Sequence, residues 1–250
     1  MRSTFWWVIV LAKLMLSFAP SLKRIFRALG FYSPGKMLDY DYAINCFNEH
    51  HNASEDLEGD SIIGKVVVEF GPGGSNFSAL IGHAMGVSRS ILIDIEPMDQ
   101  LTLDSTEQNF TLIKDELETR IKSKAIRNHN FSGIDYSYMS EGITSLGLLE
   151  SNSVDFLWSH SVLQHIHIDS FLNIFNEFHR ILKPGSLMSH KVDLKDCIAF
   201  GLNNMRFSDV TWNSDRFFTS GFYTNRIRRD ELINLFSDSG FDVIKTNNFY

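Results

Sequence analysis

From Lys65 onward, short unbroken apolar runs alternate with stretches whose apolar residues recur every three to four positions. The runs are VVVEF (66–70), SILIDI (90–95), VDFLWS (154–159) and SLMSHKVDL (186–194), with a weaker one near Ile134–Met139. A strand covered on both faces reads as a continuous apolar run, so these segments predict buried strands. Phe77, Leu80, Ile81 and Met85 predict a helix opened by Ser75 or Asn76 and closed near Gly86. Phe171, Leu172, Phe175, Phe178, Ile181 and Leu182 predict another, capped by Asp169 and stopped by Pro184-Gly185. A third is expected over Asp230–Ser239, closed by Gly240 ahead of a sixth strand at FDVI. The polar stretch 40–58 also reads as helix, and LIKDELETRIKSKAI, within polar 99–130, reads as a solvated one. Strands alternating with helices predict an α/β fold, a doubly wound and mostly parallel sheet.

Composition changes this picture at one end. The 250 residues suit one large α/β domain. The net charge of −7 argues against a general nucleic-acid binder. Residues 1–38 carry Arg2, Lys13, Lys23, Arg24, Arg27 and Lys36 and no acid, so this arm is +6 and the remainder −13. Its opening, MRSTFWWVIVLAKLMLSFAPSLKRIFRALG, has only eight apolar residues, Phe5 to Ala12, before Lys13, too few for a membrane span. A signal peptide is a second reading, with Ser17-Phe18-Ala19 a poor cleavage site. A peripheral arm over residues 1–30, touching a membrane surface, is a third, and plain packing on the domain a fourth. Turn chemistry and a change of charge sign in SPGKMLDYDY divide the chain into an arm, 1–36, and a domain, 37–250.

Two cysteines, Cys46 and Cys197, make no disulfide framework or zinc spacing and favour a reducing, cytoplasmic setting. The sequons at Asn52, Asn76, Asn109 and Asn130 read as chance matches, because Asn76 lies inside a glycine turn that could not carry a glycan.

That turn, KVVVEFGPGGSNFSAL, is the first candidate for chemistry. A dinucleotide fingerprint, G-x-G-x-x-G, needs a third glycine where this chain has Asn76 after Gly71 and Gly73. Glu69, two residues before Gly71, would repel a pyrophosphate but suits a cationic sulfonium cofactor. Asp94, at the end of the second run, can accept ribose hydroxyls in either case. In SHSVLQHIHID, His160, His165, His167 and Asp169 crowd together, yet residues leaving a strand at these spacings need not converge, so no metal is expected.

VEFGPGG, LIDIEP, VDFLWSHSVLQHI and RILKPGSL together resemble the ordered motifs of class I S-adenosylmethionine-dependent methyltransferases, over about residues 62–245. SHKVDLKD, NNMRFSD and YTNRIRRDEL further resemble a subgroup with a substrate-covering insertion, here about 195–228, and an Asn-Arg-x-Arg segment. The resemblance implies a Rossmann-like sheet with S-adenosylmethionine as cofactor. Glu69 and the turn Gly71, Pro72 and Gly73 would face its methionine part and ribose. Asp94 would hold the ribose hydroxyls, Ile95 would lie beside the adenine, and Glu141 would meet the adenine amino group. Ser159 and His160 would lie beside the transferred methyl. Two departures stand out: Ser75 replaces a common third glycine, and the chain ends at Tyr250 about where a sixth strand would end, so either the last strand of the sheet is missing or the sequence is truncated.

Methyl transfer needs an aligned nucleophile, exclusion of water and, for an oxygen or nitrogen acceptor, removal of a proton. His190, on the fifth strand, is the first candidate base and His160 the second, with Asp193 and Asp196 placed to orient the base or bind acceptor hydroxyls. Arg226 and Arg228 are candidates for gripping an acidic group on the acceptor. Trp212, Phe217, Phe218 and Phe222 would form a lid or a core. The sequence thus points to methyl transfer onto a small or carrier-linked acceptor, at oxygen, with a sugar or lipid-linked intermediate as the favoured class. A nicotinamide-dependent oxidoreductase and a catalytically silent binding module are the alternatives.

Overall fold

The computed structural model describes residues 6–17, 39–58, 62–98, 108, 110, 111, 113–115, 133–198 and 201–248. Five strands are present among them: β1 (Val66–Phe70), β2 (Arg89–Ile93), β3 (Tyr136–Met139), β4 (Val154–His160) and β5 (Leu182–Lys191). They form one sheet in the order β3-β2-β1-β4-β5, with every neighbouring pair parallel. The order reverses direction between β1 and β4, and open α/β sheets bind ligands beyond the strand carboxyl ends at such a point.

The central strands are apolar because helices cover them. Helix α2 (Tyr40–Glu58) and helix α3 (Phe77–Ala84) pack together on one face. Ala43, Ile44 and Phe47 of α2 join Leu80, Ile81 and Ala84 of α3 around Phe156 and Trp158 of β4. The Phe47 ring meets Trp158 edge-on at 5.9 Å. All eight residues of α3 are buried, and apart from His83 they are apolar or small. At the amino ends of the strands, Asp155 accepts the Val66 N–H at 2.9 Å and pairs with Lys183 at 2.6 Å. Both bonds favour its ionised form and hold its pKa below the usual carboxylate range, against the desolvation that raises it.

The described residues fall into two units. One holds the sheet, with the described residues from 39 to 160 and residues 180–191. The other holds helix α1 (Trp6–Ser17), residues 161–179 and residues 192–248. It includes most of α4 (Phe171–Ile181), two short helices, α5 (Asp209–Trp212) and α6 (Asp215–Phe218), and α7 (Arg229–Asp238). The split cuts across the expected division into an arm and a domain. Trp6, Val10 and Leu14 of α1 pack on a cluster containing Ile198, Trp212 and Phe222, far along the chain. The boundary expected near residue 36 lies outside the described residues.

Three expectations about elements differ from the structure. FDVI is not a strand: residues 241–248 have no regular structure, and Val243 and Ile244 are exposed. Asp169 does not cap α4; it sits in a 3-10 turn, Ile168–Ser170, that precedes the helix. Pro184-Gly185 is not the helix stop, since α4 ends at Ile181 and β5 begins at the next residue. The solvated helix expected over 112–126 lies outside the described residues except at 113–115, where Ile113 is buried in the sheet's core cluster. Among the described residues no helix is long and apolar enough to cross a membrane.

Phe175 of α4 shows how the second unit is held. It is fully buried, and its ring lies 5.2 Å from Phe171 and 4.5 Å from Phe236 of α7. Phe175→Ala removes these contacts and leaves a cavity, so a loss of about 3–5 kcal/mol is expected in urea unfolding followed by circular dichroism.

Candidate active site

β1 ends in a turn that only glycine can make at low cost. Gly71, Gly73 and Gly74 have φ of 86°, 68° and 77°, in the left-handed region. Ser75 is not among the positive-φ residues, so replacing the third glycine introduces no strain there. Its hydroxyl accepts the Phe77 N–H at 3.1 Å. Asn76 occupies the N-cap position of α3 without a side-chain cap bond and donates instead to the Tyr136 hydroxyl at 3.3 Å.

Asp94, immediately after β2, ties this turn to its neighbour. Its Oδ2 accepts the Gly73 N–H at 2.8 Å, and its Oδ1 accepts the N–H groups of Ile95 and Glu96 at 2.7 and 3.2 Å. Its main-chain N–H donates to Met139 at 2.9 Å, and its carbonyl accepts from Gly142 at 2.8 Å. Ile95 beside it is 79% exposed. A side chain at Gly142 (φ 54°) would begin 2.9 Å from Ile95 Cγ2, so glycine there lets the loop after β3 lie against the ledge. Three glycines, a carboxylate and a bare aliphatic ledge at the strand tips suit a ribose and a planar base, and these residues fit S-adenosylmethionine. Pro72 is buried within the turn. Glu141 follows β3 with an exposed side chain, while its N–H donates to Ser145 Oγ at 3.2 Å.

Glu69 requires a correction. Its side chain is 2% exposed and accepts a hydrogen bond from Ser78 of α3, in a small cavity also lined by Phe47, Ala79, Leu92 and Trp158. Burial raises its pKa to about 8, with the Asp94 charge adding to the rise and Ser78 opposing it. Without a cation beside it, a carboxyl in this setting is largely protonated at neutral pH, and it faces the helix layer rather than the turn. The cause is strand alternation: Glu69 points with Val67 into the helix layer, one position from the turn-facing register.

At the carboxyl ends of β4 and β5, side chains converge that the sequence did not bring together. His160 Nδ1 lies 3.2 Å from Nε2 of His50 on α2, and His50 Nδ1 lies 2.8 Å from Ser189 Oγ. His160 Nε2 is 3.7 Å from Cys46 Sγ, and Tyr42 approaches the His160 ring edge-on at 6.0 Å. Glu49 of α2 pairs with Lys191 of β5 at 2.8 Å. His50 was missed because α2 reads as a polar surface helix; Tyr42, Cys46, Glu49 and His50, spaced three, four and eight apart, were the available signal. Desolvation pushes the His50 pKa down to about 2, with His160, His190 and Lys191 adding to the fall. His160 is lowered as well, by burial first and then by Lys191, while Glu49 opposes the shift. Burial also raises the Cys46 thiol to about 11, so it is a neutral neighbour rather than a nucleophile.

His190, the first candidate base, has its Nδ1 2.7 Å from Ser159 Oγ, and desolvation pushes its pKa down to about 3. Ser159 is fully buried. The pair binds β4 to β5 through side chains, and so weak a base is poorly matched to a proton at neutral pH. Other candidates lie in the second unit. Asp196 is 1% exposed, and its carboxylate accepts the N–H groups of Ile198, Gly201 and Asn204, closing its own loop rather than presenting oxygens to a ligand. Asp193 accepts the Lys195 N–H at 2.9 Å.

Arg226 pairs with Asp209 at 2.6 Å, donates to the carbonyl of Phe207 at 2.8 Å, and lies 5.4 Å over the Trp212 ring. Arg228 donates to the Leu194 carbonyl at 2.8 Å. Asn225, just before them, donates through its amide to Leu163 and Ile166 at 2.7 and 3.1 Å. The Asn-Arg-x-Arg segment is therefore a clamp on its own loops, which corrects the expected grip on an acidic acceptor. Trp212, Phe217 and Phe222 are core, and Phe218 is 40% exposed. His165 and His167 are directed to the carbonyls of Tyr223 and Asn213, at 2.8 and 3.1 Å.

Comparison with known proteins agrees with this geometry. Residues 49–246 match the family model of a methyltransferase domain. No curated protein matches the chain. Among solved structures, the 1,6-didemethyltoxoflavin-N1-methyltransferase of Burkholderia thailandensis is 12% identical, with 91% of this chain and 81% of that one covered and a TM-score of 0.51. An S-adenosylmethionine-dependent methyltransferase of Mesorhizobium loti is 15% identical over 79% of this chain and 83% of its own, at a TM-score of 0.47. At such identity the first of these likenesses supports the fold alone.

The buried titrating groups predict a pH dependence of stability. Glu69, raised from 4.5 to about 8, holds its proton in the folded state and costs stability as pH rises through that window. His50 and His190, lowered from 6.5 to about 2 and about 3, cost stability as pH falls below 6.5. Between pH 6.5 and 8 the slope therefore belongs mainly to Glu69 and approaches about 1.4 kcal/mol per pH unit. Urea unfolding of Glu69→Gln across that interval is expected to lose this slope; a slope equal to the parent's would show that Glu69 is ionised in the fold.

Proposed function

This chain belongs to the methyltransferase-domain family and has the class I, S-adenosylmethionine-dependent fold; on that premise we propose that it methylates an oxygen of a small or carrier-linked acceptor, with His160 as the proton acceptor. Sugars and lipid-linked intermediates are the acceptor classes this reading favours. S-adenosylmethionine, when bound, supplies a methyl group already activated on a sulfonium. The chain's own residues then have to hold donor and acceptor in line, exclude water and take one proton.

Asp94 is the group for the ribose hydroxyls, exchanging part of its present hydrogen bonding at Gly73 and Ile95 for them. Ile95 is the surface for the base. Gly71 and Gly73 let the main chain approach the methionine portion. Glu69 contributes from beneath, by filling the core as a neutral carboxyl.

The observation that carries the proton-transfer part is the contact of His160 with His50 at 3.2 Å and of His50 with Ser189 at 2.8 Å. One tautomer assignment makes His160 a base: His50 donates from Nδ1 to Ser189, and its Nε2 accepts the Nδ1 proton of His160. His160 Nε2 then carries a lone pair, with the Cys46 thiol beside it. A proton taken there produces an imidazolium whose Nδ1–H still points at His50, and the nearby Glu49 carboxylate favours the charge. His50 is thus a positioning residue, serving the role a third group plays behind many activated bases. Burial and Lys191 lower the His160 pKa and weaken it as a base, while the Glu49 carboxylate beside it acts in the opposite sense.

The withdrawal of Glu69 from the turn removes one argument against a nicotinamide cofactor, so the cofactor needs a direct test. Calorimetry is expected to show binding of S-adenosylhomocysteine, none of NAD, and loss of binding in Asp94→Ala; NAD binding alone would sink the reading. In a labelled-methyl screen against cell-extract fractions, the acceptor found is expected to be methylated roughly 10²–10⁴-fold more slowly by His160→Gln, with S-adenosylhomocysteine affinity unchanged. An undiminished rate would remove His160 from the chemistry.

A further inference from the structure

Helix α1 has two apolar faces, and the protein covers one. Trp6, Val10 and Leu14, four residues apart, pack on the aromatic cluster around Trp212 and Phe222. The adjoining face, about 100° round the helix, presents Trp7, Val8, Leu11 and Met15, exposed by 50%, 43%, 53% and 73%. Trp7, Leu11 and Met15 are again four residues apart, so they form a continuous stripe about 12 Å long rather than scattered apolar positions. Its inner face anchors the helix, which fixes the stripe's direction relative to its own unit.

Charge indicates what this stripe meets. Residues 1–38 contain six basic side chains and no acidic one, against −13 for the rest of the chain. The Arg206 guanidinium lies 5.2 Å over the Trp6 ring, and Met205 next to it is 54% exposed. One cation, Arg206, and exposed apolar side chains therefore share this end of the unit. A partner complementary to both is apolar below and anionic at its surface. The twelve described residues of the helix, about 18 Å, are too few to span an apolar layer of about 30 Å, but they can lie in the plane of its interface. Trp7 suits that boundary, with an apolar ring and a polar N–H.

We propose that the outer face of α1 docks this protein on an anionic membrane surface, placing Trp7, Val8, Leu11 and Met15 at the boundary between headgroups and acyl chains. The docking does not depend on the methyl-transfer reading. A gain in local concentration of a lipid-linked acceptor would follow from it, and that consequence does rest on the reading.

Vesicle cosedimentation without any methyl donor tests the docking separately from catalysis. The full chain is expected to bind vesicles of phosphatidylcholine with added phosphatidylglycerol at low salt. Binding should be weak on phosphatidylcholine alone, and weakened by high salt because screening shortens the reach of the basic arm. The double variant Trp7→Ser, Leu11→Ser should bind at least about tenfold more weakly, with an unchanged far-ultraviolet circular dichroism spectrum. Trp7→Phe guards against misfolding of the double variant: it should keep vesicle binding and lose most of the blue shift in tryptophan fluorescence that vesicles induce. The proposal is overturned by failure of the parent to bind anionic vesicles, or by equal binding of the double variant. It is also overturned if the parent self-associates without lipid and the double variant does not, since the face would then belong to a second copy of the chain.

Discussion

The carboxylate and main chain of Asp94 join the ends of three strands, and the candidate cofactor site is built on that joint. The side chain gathers amides from the turn after β1 and from its own turn after β2, while the main chain bonds to β3 and to the loop beyond it. Hydrogen bonds to a charged group are worth about 1.5–3 kcal/mol each when well formed. The Gly73 amide reaches the carboxylate from a left-handed backbone, a conformation that a side chain would strain. The same contacts that shape the strand tips therefore demand glycine where a ligand's approach also demands it. Folding and binding impose one requirement on this turn.

A second constraint is that the interior beneath the strand ends is kept uncharged. Burial acts in opposite senses on acids and bases, raising Glu69 and lowering His50 and His190, but the outcome is the same: neutral groups. Ser78, Ser189 and Ser159 supply hydroxyls to these three groups. Hydroxyls can donate or accept, so they satisfy each neutral partner in either tautomer. The formal charges in this region, Glu49 and Lys191, are paired with each other. A neutral pocket floor lets a single histidine gain a proton without displacing a network of fixed charges.

The sheet was legible because parallel strands covered on both faces write themselves as apolar runs, and VVVEF, SILIDI and VDFLWS do so. FDVI has the same local composition but joins no sheet: Phe241 packs on His179 while Val243 and Ile244 stay in solvent; a run of four residues does not reveal whether a neighbouring strand exists for it. The glycine turn and Asp94 were legible because backbone geometry forces their residue types. Glu69 was misread since its importance was judged by distance along the chain, whereas alternation along β1 decides which way it points. His50 could not be paired with His160 or Ser189 from sequence, because those contacts span 110 and 139 residues. Arg226 and Arg228 look alike as ligand-gripping or carbonyl-binding groups, since a guanidinium fork serves both tasks equally well.

The inner face of α1 packs on residues that lie nearly two hundred positions further along the chain. During synthesis at about 5–20 residues per second, the first helix waits on the order of ten to forty seconds for that aromatic cluster to emerge. Throughout that interval both of its faces are bare, and the sheet unit can assemble before they are covered. The nascent protein thus presents a largely apolar segment, interrupted by Lys13, that the finished fold half conceals.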